Sequence, residues 1–381
     1  VFILLKNCNV YSPIHLGLRD ILLCGEKIVH IADSIDDLVG VGPLEVLDLK
    51  GQTTVPGFID QHVHLIGGGG EGGPATRTPE VQLSDATTAG VTTVVGCLGT
   101  DGTTRHMTAL LAKARALEIE GITTFIYTGS YEIPTPTITD NVRNDLILID
   151  KVIGVGELAI SDHRSAQPTT VDVLKLAAEA RVGGMLAGKP GLCHLHVGGG
   201  KRGLAPLFEM LEMSEIPITQ FTPTHCDRTP ELLEDAIKFA KMGGKVDLTA
   251  GSRTAKTLIY MLGCGAPLEK ITFSSDGNGS MPRFNDQGVL IGLGVGSLKA
   301  TYEVVRRLVT EHEWSLDKAL LPITTNVAST LLLTGKKGSI AIGADADLVV
   351  LDESLNVSTV LARGRLMVTN GEVVVKGTFE K

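Results

Sequence analysis

Residues 55–65 read VPGFIDQHVHL, an apolar run that begins after a proline–glycine pair and ends in two histidines one residue apart. Residues two apart on a strand point to one face, so His62 and His64 project together from the C-terminal end of this segment. From here onward strand-like runs alternate with helix-like runs, the pattern of parallel βαβ units. The strand-like runs span 57–65, 91–99, 123–129, 152–160, 192–197, 218–225, 245–251 and 271–277. Helix-compatible segments at 105–120, 171–182 and 230–242 lie between them. Eight such units in about 280 residues predict an α/β chain built on a (β/α)8 TIM barrel. An open doubly wound sheet is the other arrangement the pattern allows.

Outside this region the texture is purely β. FILLKN, DILLCG, KIVHIA and LEVLDL follow one another before residue 50, punctuated by Gly25-Glu26 and Gly42-Pro43. After a helical stretch at 315–333 come GSIAIGADADLVVLD, TVLARGRLMV and GEVVVKG, alternating apolar and polar residues. Both ends are therefore expected to meet in one composite β-domain, residues 1–54 plus 338–381, around a barrel at 55–337.

Composition narrows the function. Hydrophobic residues make up 43% and charged residues 20% of 381, enough for a large core. Lysine plus arginine number 34 against 43 acids, and no basic block exists, which disfavours nucleic acid as a partner. No run of about 18 apolar residues is present, so no membrane span is expected. The opening VFILLKNCNVY is too short and too quickly polar to read as a secretory signal. Six scattered cysteines without a CxxC pattern read as reduced thiols in a cytoplasmic protein.

Four more ligand-type residues stand at the ends of other predicted strands: Glu157, His196, His225 and Asp276. With His62 and His64 they make six imidazoles and carboxylates at the end where barrel active sites lie. Such groups suit zinc, and the pattern predicts a metal hydrolase site. His194, one step deeper than His196, is either a partner of a ligand or a core histidine. His163 reads as structural, Cys226 as packing, and His15, His30, His106 and His312 have no cluster around them. GGGGEGG (67–73) lacks the GK[ST] of a phosphate loop and reads as a flexible loop admitting substrate, with Glu71 as its one charge.

VPGFIDQHVHL, SDHRS, SSDG and GADADLVV together resemble the amidohydrolase superfamily. The longer strings DQHVHLIGGGGEGGPATRTPE, VVGCLGTDGTTRH, AISDHRSAQP, TPTHCDR and SSDGNGSMP resemble its isoaspartyl dipeptidase family, over nearly the whole chain. The resemblance implies two zinc ions in a barrel flanked by a small β-sandwich. His62, His64 and Asp276 would hold one ion, His196 and His225 the other. Glu71 with the backbone of Gly69 and Gly70 would form the substrate loop, and Thr100, Tyr131, Arg164, Arg228 and Ser280 the remaining substrate contacts. Homo-oligomers, octameric in the family, are implied too.

One position departs from the family pattern, which has a carboxylated lysine as the metal bridge seven residues before the arginine of SDHR. Counting back from Arg164 gives Glu157, and Gly156 reads as an extra residue. A shorter carboxylate must come from a nearer backbone, so a bulge at Gly156 is expected. The chemistry implied is hydrolysis of a β-aspartyl dipeptide by a metal-bridging hydroxide, with Asp276 as general base and acid and Tyr131 stabilising the oxyanion. Glu71 suits the substrate ammonium, and Arg164 and Arg228 suit carboxylates. Hydantoinase, dihydroorotase or deacetylase activity, or a non-catalytic scaffold of the same fold, are the alternatives.

Overall fold

A computed structural model describes residues 1–36, 42–284 and 290–381. Five strands open the chain: β1 (Phe2–Tyr11), β2 (His15–Cys24), β3 (Lys27–Ala32), β4 (Leu44–Asp48) and β5 (Thr53–Pro56). The parallel strands follow as β6 (Phe58–Val63), β7 (Val91–Gly96), β8 (Thr123–Thr128), β9 (Val152–Ile160), β10 (Leu192–Val197), β11 (Phe221–Thr224), β12 (Val246–Thr249) and β13 (Ile271–Ser274). A hairpin, β14 (Ser280–Phe284) with β15 (Leu290–Val295), comes next. Four strands close the chain: β16 (Leu348–Leu351), β17 (Val357–Ala362), β18 (Arg365–Thr369) and β19 (Glu372–Val373).

Each of the eight parallel runs predicted from sequence contains one of β6 to β13. In 245–251 and 271–277 only four residues are strand, and in 218–225 Ile218–Gln220 is a 3-10 turn and only Phe221–Thr224 is strand. The turn follows Pro217, whose carbonyl accepts from the Gln220 N–H. Strands β6, β7, β9, β10, β11 and β13 are buried throughout, as in a parallel sheet covered on both faces. Helices between them carry local signals that fix their ends. Thr170–Ala187 starts in a reciprocal capping box between Thr169 and Asp172 and stops at left-handed Gly188. Pro230–Lys241 starts with Thr229 as cap and Pro230 in its first turn. The helical stretch expected at 315–333 is instead three short pieces, Leu316–Ala319, Leu321–Ile323 and Thr325–Thr330.

The hydrogen-bonded parallel sheet runs β11-β10-β9-β8-β7-β6, a curved half-barrel of six strands rather than a continuous ladder of eight. The other two, β12 and β13, pair only with each other among the described residues. They lie against β11 on one side and β6 on the other, with one parallel bridge, Val63 to Gly277. At the break the strands are four residues long, and Pro223 has no N–H to give to a ladder.

Side chains span this break. The buried Asp247 of β12 accepts from Gln61 Nε2 of β6 (2.7 Å), Thr224 Oγ1 of β11 (2.7 Å), and Thr272 Oγ1 and Ser274 Oγ of β13 (2.8 and 2.5 Å). Burial raises its carboxyl above the ordinary range, against the hydrogen bonds that favour its charged form.

Both chain ends do meet, in one nine-stranded sheet ordered β19-β18-β17-β16-β5-β1-β2-β3 with β4 beside β1. The joint is the antiparallel pair β5–β16, where Val55 faces Val349. Alternation along LVVL then divides the strand between cores. Leu348 and Val350 pack with Ile3, Leu5 and Ile21 of the terminal strands, while Val349 and Leu351 join the main core.

Asp247→Ala should leave several buried donors without an acceptor, at about 1–3 kcal/mol each. Urea unfolding is expected to show a loss of at least about 3 kcal/mol. A change within experimental error would mean that the strands are held across the break by other contacts.

Candidate metal centre

The six ligand-type residues converge. His62 lies in β6 and His64 just beyond it; Glu157 and His196 lie in β9 and β10; His225 and Asp276 follow β11 and β13. All are buried. His225 and Asp276 hold left-handed backbone, φ +61° and +51°, a strained conformation that turns each side chain inward as its strand ends. Asp60 ties the segments together, accepting from the backbone N–H of His62 and of Ser275, both at 3.2 Å. Burial pushes the Asp60 carboxyl up to about 7, against those hydrogen bonds.

Glu157 stands at the centre. Its Oε1 lies 2.8 Å from His196 Nδ1 and 3.1 Å from His225 Nε2, and its Oε2 lies 3.4 Å from His62 Nε2. Asp276 Oδ1 is 3.0 Å from His64 Nε2 and 3.6 Å from His62 Nε2. One carboxylate thus faces separate sets of imidazoles with separate oxygens. Its position depends on an irregularity in β9. Val155 pairs with Cys193 and Leu158 with Leu195, so Gly156 and Glu157 together oppose His194. That is a bulge at the residue where the shorter side chain requires one. Only glycine fits its first position, since a Cβ on Gly156 would lie 2.8 Å from both Cβ and the carbonyl oxygen of His194.

The electrostatics follow from this crowding. Burial would raise Glu157, but His62 and His196 and the hydrogen bonds from His196 and His225 hold it well below the usual carboxylate range. Burial opposes charge on His62 and His64, yet Glu157 and Cys97 beside His62, and Cys97 and Asp276 beside His64, carry both well above the ordinary value. Burial and Arg228 push His225 well below it. Asp276 is lowered, against burial, by the hydrogen bond from His64 and by its histidine neighbours.

These residues fit a pair of cations. Two groups could each hold an ion, His62, His64, Cys97 and Glu157 in one and Glu157, His196 and His225 in the other. His62 Nε2 and Glu157 Oε2 are buried without a hydrogen-bond partner among the described residues, and both face the first group. Imidazole with carboxylate is a donor set for zinc.

A cleft opens beside the cluster, lined by Gly69, Glu71, Thr100, Tyr131, Arg164, Arg228 and Ser280 together with His64, His196 and Asp276. The Tyr131 hydroxyl lies 2.5 Å from His196 Nδ1, and its ring lies under the Arg164 guanidinium. Arg228 Nη1 is 2.9 Å from His196 Nε2. Arg164 is engaged on two sides, by a forked pair with Asp162 (3.0 and 2.8 Å) and by Glu71 at 3.3 Å. Glu71 also accepts from Thr100 Oγ1 at 3.0 Å. Gly69, with φ +70°, lines the cleft, and a Cβ there would meet the Thr76 carbonyl at 2.5 Å. Gly70 differs from expectation. Its N–H donates to Thr76 O and its carbonyl accepts from Gly73, and it lines an outer recess beside Arg77 and Asp101.

Besides Asp60, sequence reasoning does not single out three further residues as part of the site. Asp162 accepts from His196 Nε2 at 2.9 Å as well as from Arg164, and these partners hold its carboxyl well below the usual range despite burial. Its signal is its place two residues before the arginine in SDHR. Buried Arg105 donates to the carbonyls of Ile66 and Gly68 and so fixes the glycine loop. Cys97 lies at the end of VVGC with Sγ 3.9 Å from His64 Nδ1. His163 is exposed, outside the cluster, and Cys226 is buried in the main core.

Comparison with known proteins places the chain. A model of the amidohydrolase family matches residues 193–374. The β-aspartyl dipeptidase of the thermophilic, keratin-degrading Fervidobacterium islandicum AW-1, solved in complex with a β-Asp-Leu dipeptide, is 45% identical with a TM-score of 0.92, covering 98% of this chain and 97% of that one. Dihydroorotase of Staphylococcus aureus is 40% identical over 91 residues, 24% of this chain. That match spans only 20% of the dihydroorotase. Dihydropyrimidinase of Brevibacillus agri shares the fold at 17% identity and a TM-score of 0.63, covering 99% of this chain and 97% of that one.

Gly156→Ala must displace His194 or the bulge, and overpacking of this kind typically costs about 1–3 kcal/mol. A matching fall in the urea midpoint is expected. An unchanged midpoint would show that the bulge has room for a side chain.

Proposed function

This chain belongs to the amidohydrolase family, and from that premise we propose that it hydrolyses the isopeptide bond of β-aspartyl dipeptides as a zinc-dependent dipeptidase. The observation that carries the reading is the Glu157 carboxylate, with its oxygens facing separate histidine sets beside a cleft that holds Glu71, Arg164 and Arg228. Near full-length likeness to a β-aspartyl dipeptidase supports the substrate class. The local match to dihydroorotase supports a cyclic-amide hydrolase as a second reading, though dihydroorotate, with a carboxylate and no ammonium, would give an arginine a partner and leave Glu71 without one.

In this reading His62, His64 and Asp276 would hold one zinc ion and His196 and His225 the other, with Glu157 available to both in place of a carboxylated lysine. Bound zinc supplies Lewis acidity and lowers the pKa of water toward neutrality. Asp276, kept ionised by its histidines, takes the proton of the attacking water and delivers it to the leaving amine. Tyr131 donates to the developing oxyanion. Glu71 receives the substrate ammonium, and Arg164 and Arg228 receive carboxylate. Thr100 and Ser280 complete the pocket with Gly69 of the glycine loop.

The wider reading is a closed (β/α)8 barrel over 55–337 with a β-sandwich from 1–54 plus 338–381, assembled as a homo-oligomer, octameric by resemblance. Six free cysteines support a reducing, cytoplasmic location. Among the described residues no helix is long and apolar enough to cross a membrane.

Hydrolysis of β-Asp-Leu, absence of α-Asp-Leu and dihydroorotate hydrolysis, and loss of activity on chelation are the expected results; preference for dihydroorotate would overturn the substrate class. Glu157→Ala should fail to retain a full zinc complement in metal analysis, and bicarbonate should leave wild-type metal content unchanged. Asp276→Asn should lower kcat by about 10²–10⁴-fold while still binding metal, the usual range for a lost proton shuttle.

Burial, reinforced by Glu157, holds the Tyr131 phenol well above its ordinary value of 10.0, so it stays protonated, and a donor, across the working pH range. Tyr131→Phe should therefore lower kcat by about 10²–10³-fold without moving the alkaline limb of the pH profile. A limb that vanishes with the hydroxyl would show that the phenol titrates there.

A further inference from the structure

We infer that His194 is a positioning residue that fixes the ring of His62 and leaves its Nε2 free for metal. The inference rests on the zinc site proposed above. His194 Nε2 lies 3.0 Å from His62 Nδ1, both rings are fully buried, and they meet nearly edge to face. At that separation one hydrogen lies between the two nitrogens. On the far side of His62, Nε2 has no hydrogen-bond partner among the described residues and faces Glu157 Oε2 and Asp276 Oδ1. A nitrogen that ligates a cation must offer a lone pair, so the His62 hydrogen belongs on Nδ1 and His194 accepts it through Nε2. His194 then carries its own hydrogen on Nδ1.

The surroundings hold His194 in place for this work. Its ring stacks on Tyr127 at 4.8 Å and 12° between planes. Its backbone is the single residue opposite the Gly156–Glu157 bulge, which leaves no room for a Cβ at Gly156. The element that brings Glu157 to the cluster therefore also confines the residue that orients His62. Ligating histidines usually give their second N–H to a carboxylate, carbonyl or water. Here the acceptor is a neutral imidazole on the strand that carries His196.

The experiment is competition for zinc between the protein and a chromophoric chelator, with the unaltered chain and three variants. Asparagine places its amide where Nδ1 was, glutamine where Nε2 was. His194→Leu and His194→Asn should weaken one zinc by about 10–100-fold, as loss of a ligand's hydrogen-bond partner does. His194→Gln should restore it. A packing role would make the amide variants alike, and wild-type affinity in a folded His194→Asn, checked by thermal unfolding of the metal-free forms, would overturn the inference. A second measurement needs no variant: 15N spectra of the zinc-loaded wild type should show His194 protonated at Nδ1, and protonation at Nε2 would overturn it. No zinc bound by the unaltered chain would remove the metal reading and this inference with it.

Discussion

The buried carboxylate of Asp247 holds together the part of the sheet that backbone hydrogen bonds do not. It collects donors from β6, β11 and β13, across the interval where the parallel ladder stops. Its partners are also neighbours in sequence of the site: Gln61 precedes His62, Thr224 precedes His225, and Ser274 lies two before Asp276. Backbone ladders set the spacing of strands but tolerate sliding, whereas a carboxylate shared among several fixed donors has one satisfied arrangement. The ligand-type residues on the short strands therefore inherit their register from this one group.

Much of this was legible in the chain. Parallel strands buried on both faces tend to be apolar runs, and their alternation with helix-like segments marks the place of each of the eight. Ligand-type residues at their ends stood out because imidazoles are rare in such runs. The terminal β-unit showed itself through alternation, and GADADLVV already contains the division of Leu348 and Val349 between separate cores.

What could not be read has a common cause. Asp162, Arg105 and Asp60 act by hydrogen bonds to residues distant in sequence or to backbone groups, and a lone acid or arginine carries no mark of such a role. The break beside β12 and β13 depends on how far the sheet curves, which no local pattern records. The 315–333 segment has helical composition, but Pro322 has no N–H for a continuous helix and the chain folds as short turns. The resemblance puts the Gly70 backbone in the substrate loop, but here its N–H and carbonyl are bonded within that loop, to Thr76 and Gly73.

The contact between Glu71 and Arg164 changes what occupancy of the cleft means. With Thr100 on the acid and Asp162 on the base, the pair is a closed set of charges before any ligand arrives. Entry is then an exchange rather than an addition. A zwitterion can trade partners, its ammonium for the guanidinium and its carboxylate for the acid, so that neither side chain loses a counter-charge. A ligand with a single charge strands one member of the set, and a neutral one must leave the set intact and find space around it. Under the proposed function, discrimination would reside in this internal competitor, which a candidate would have to match on both signs at once.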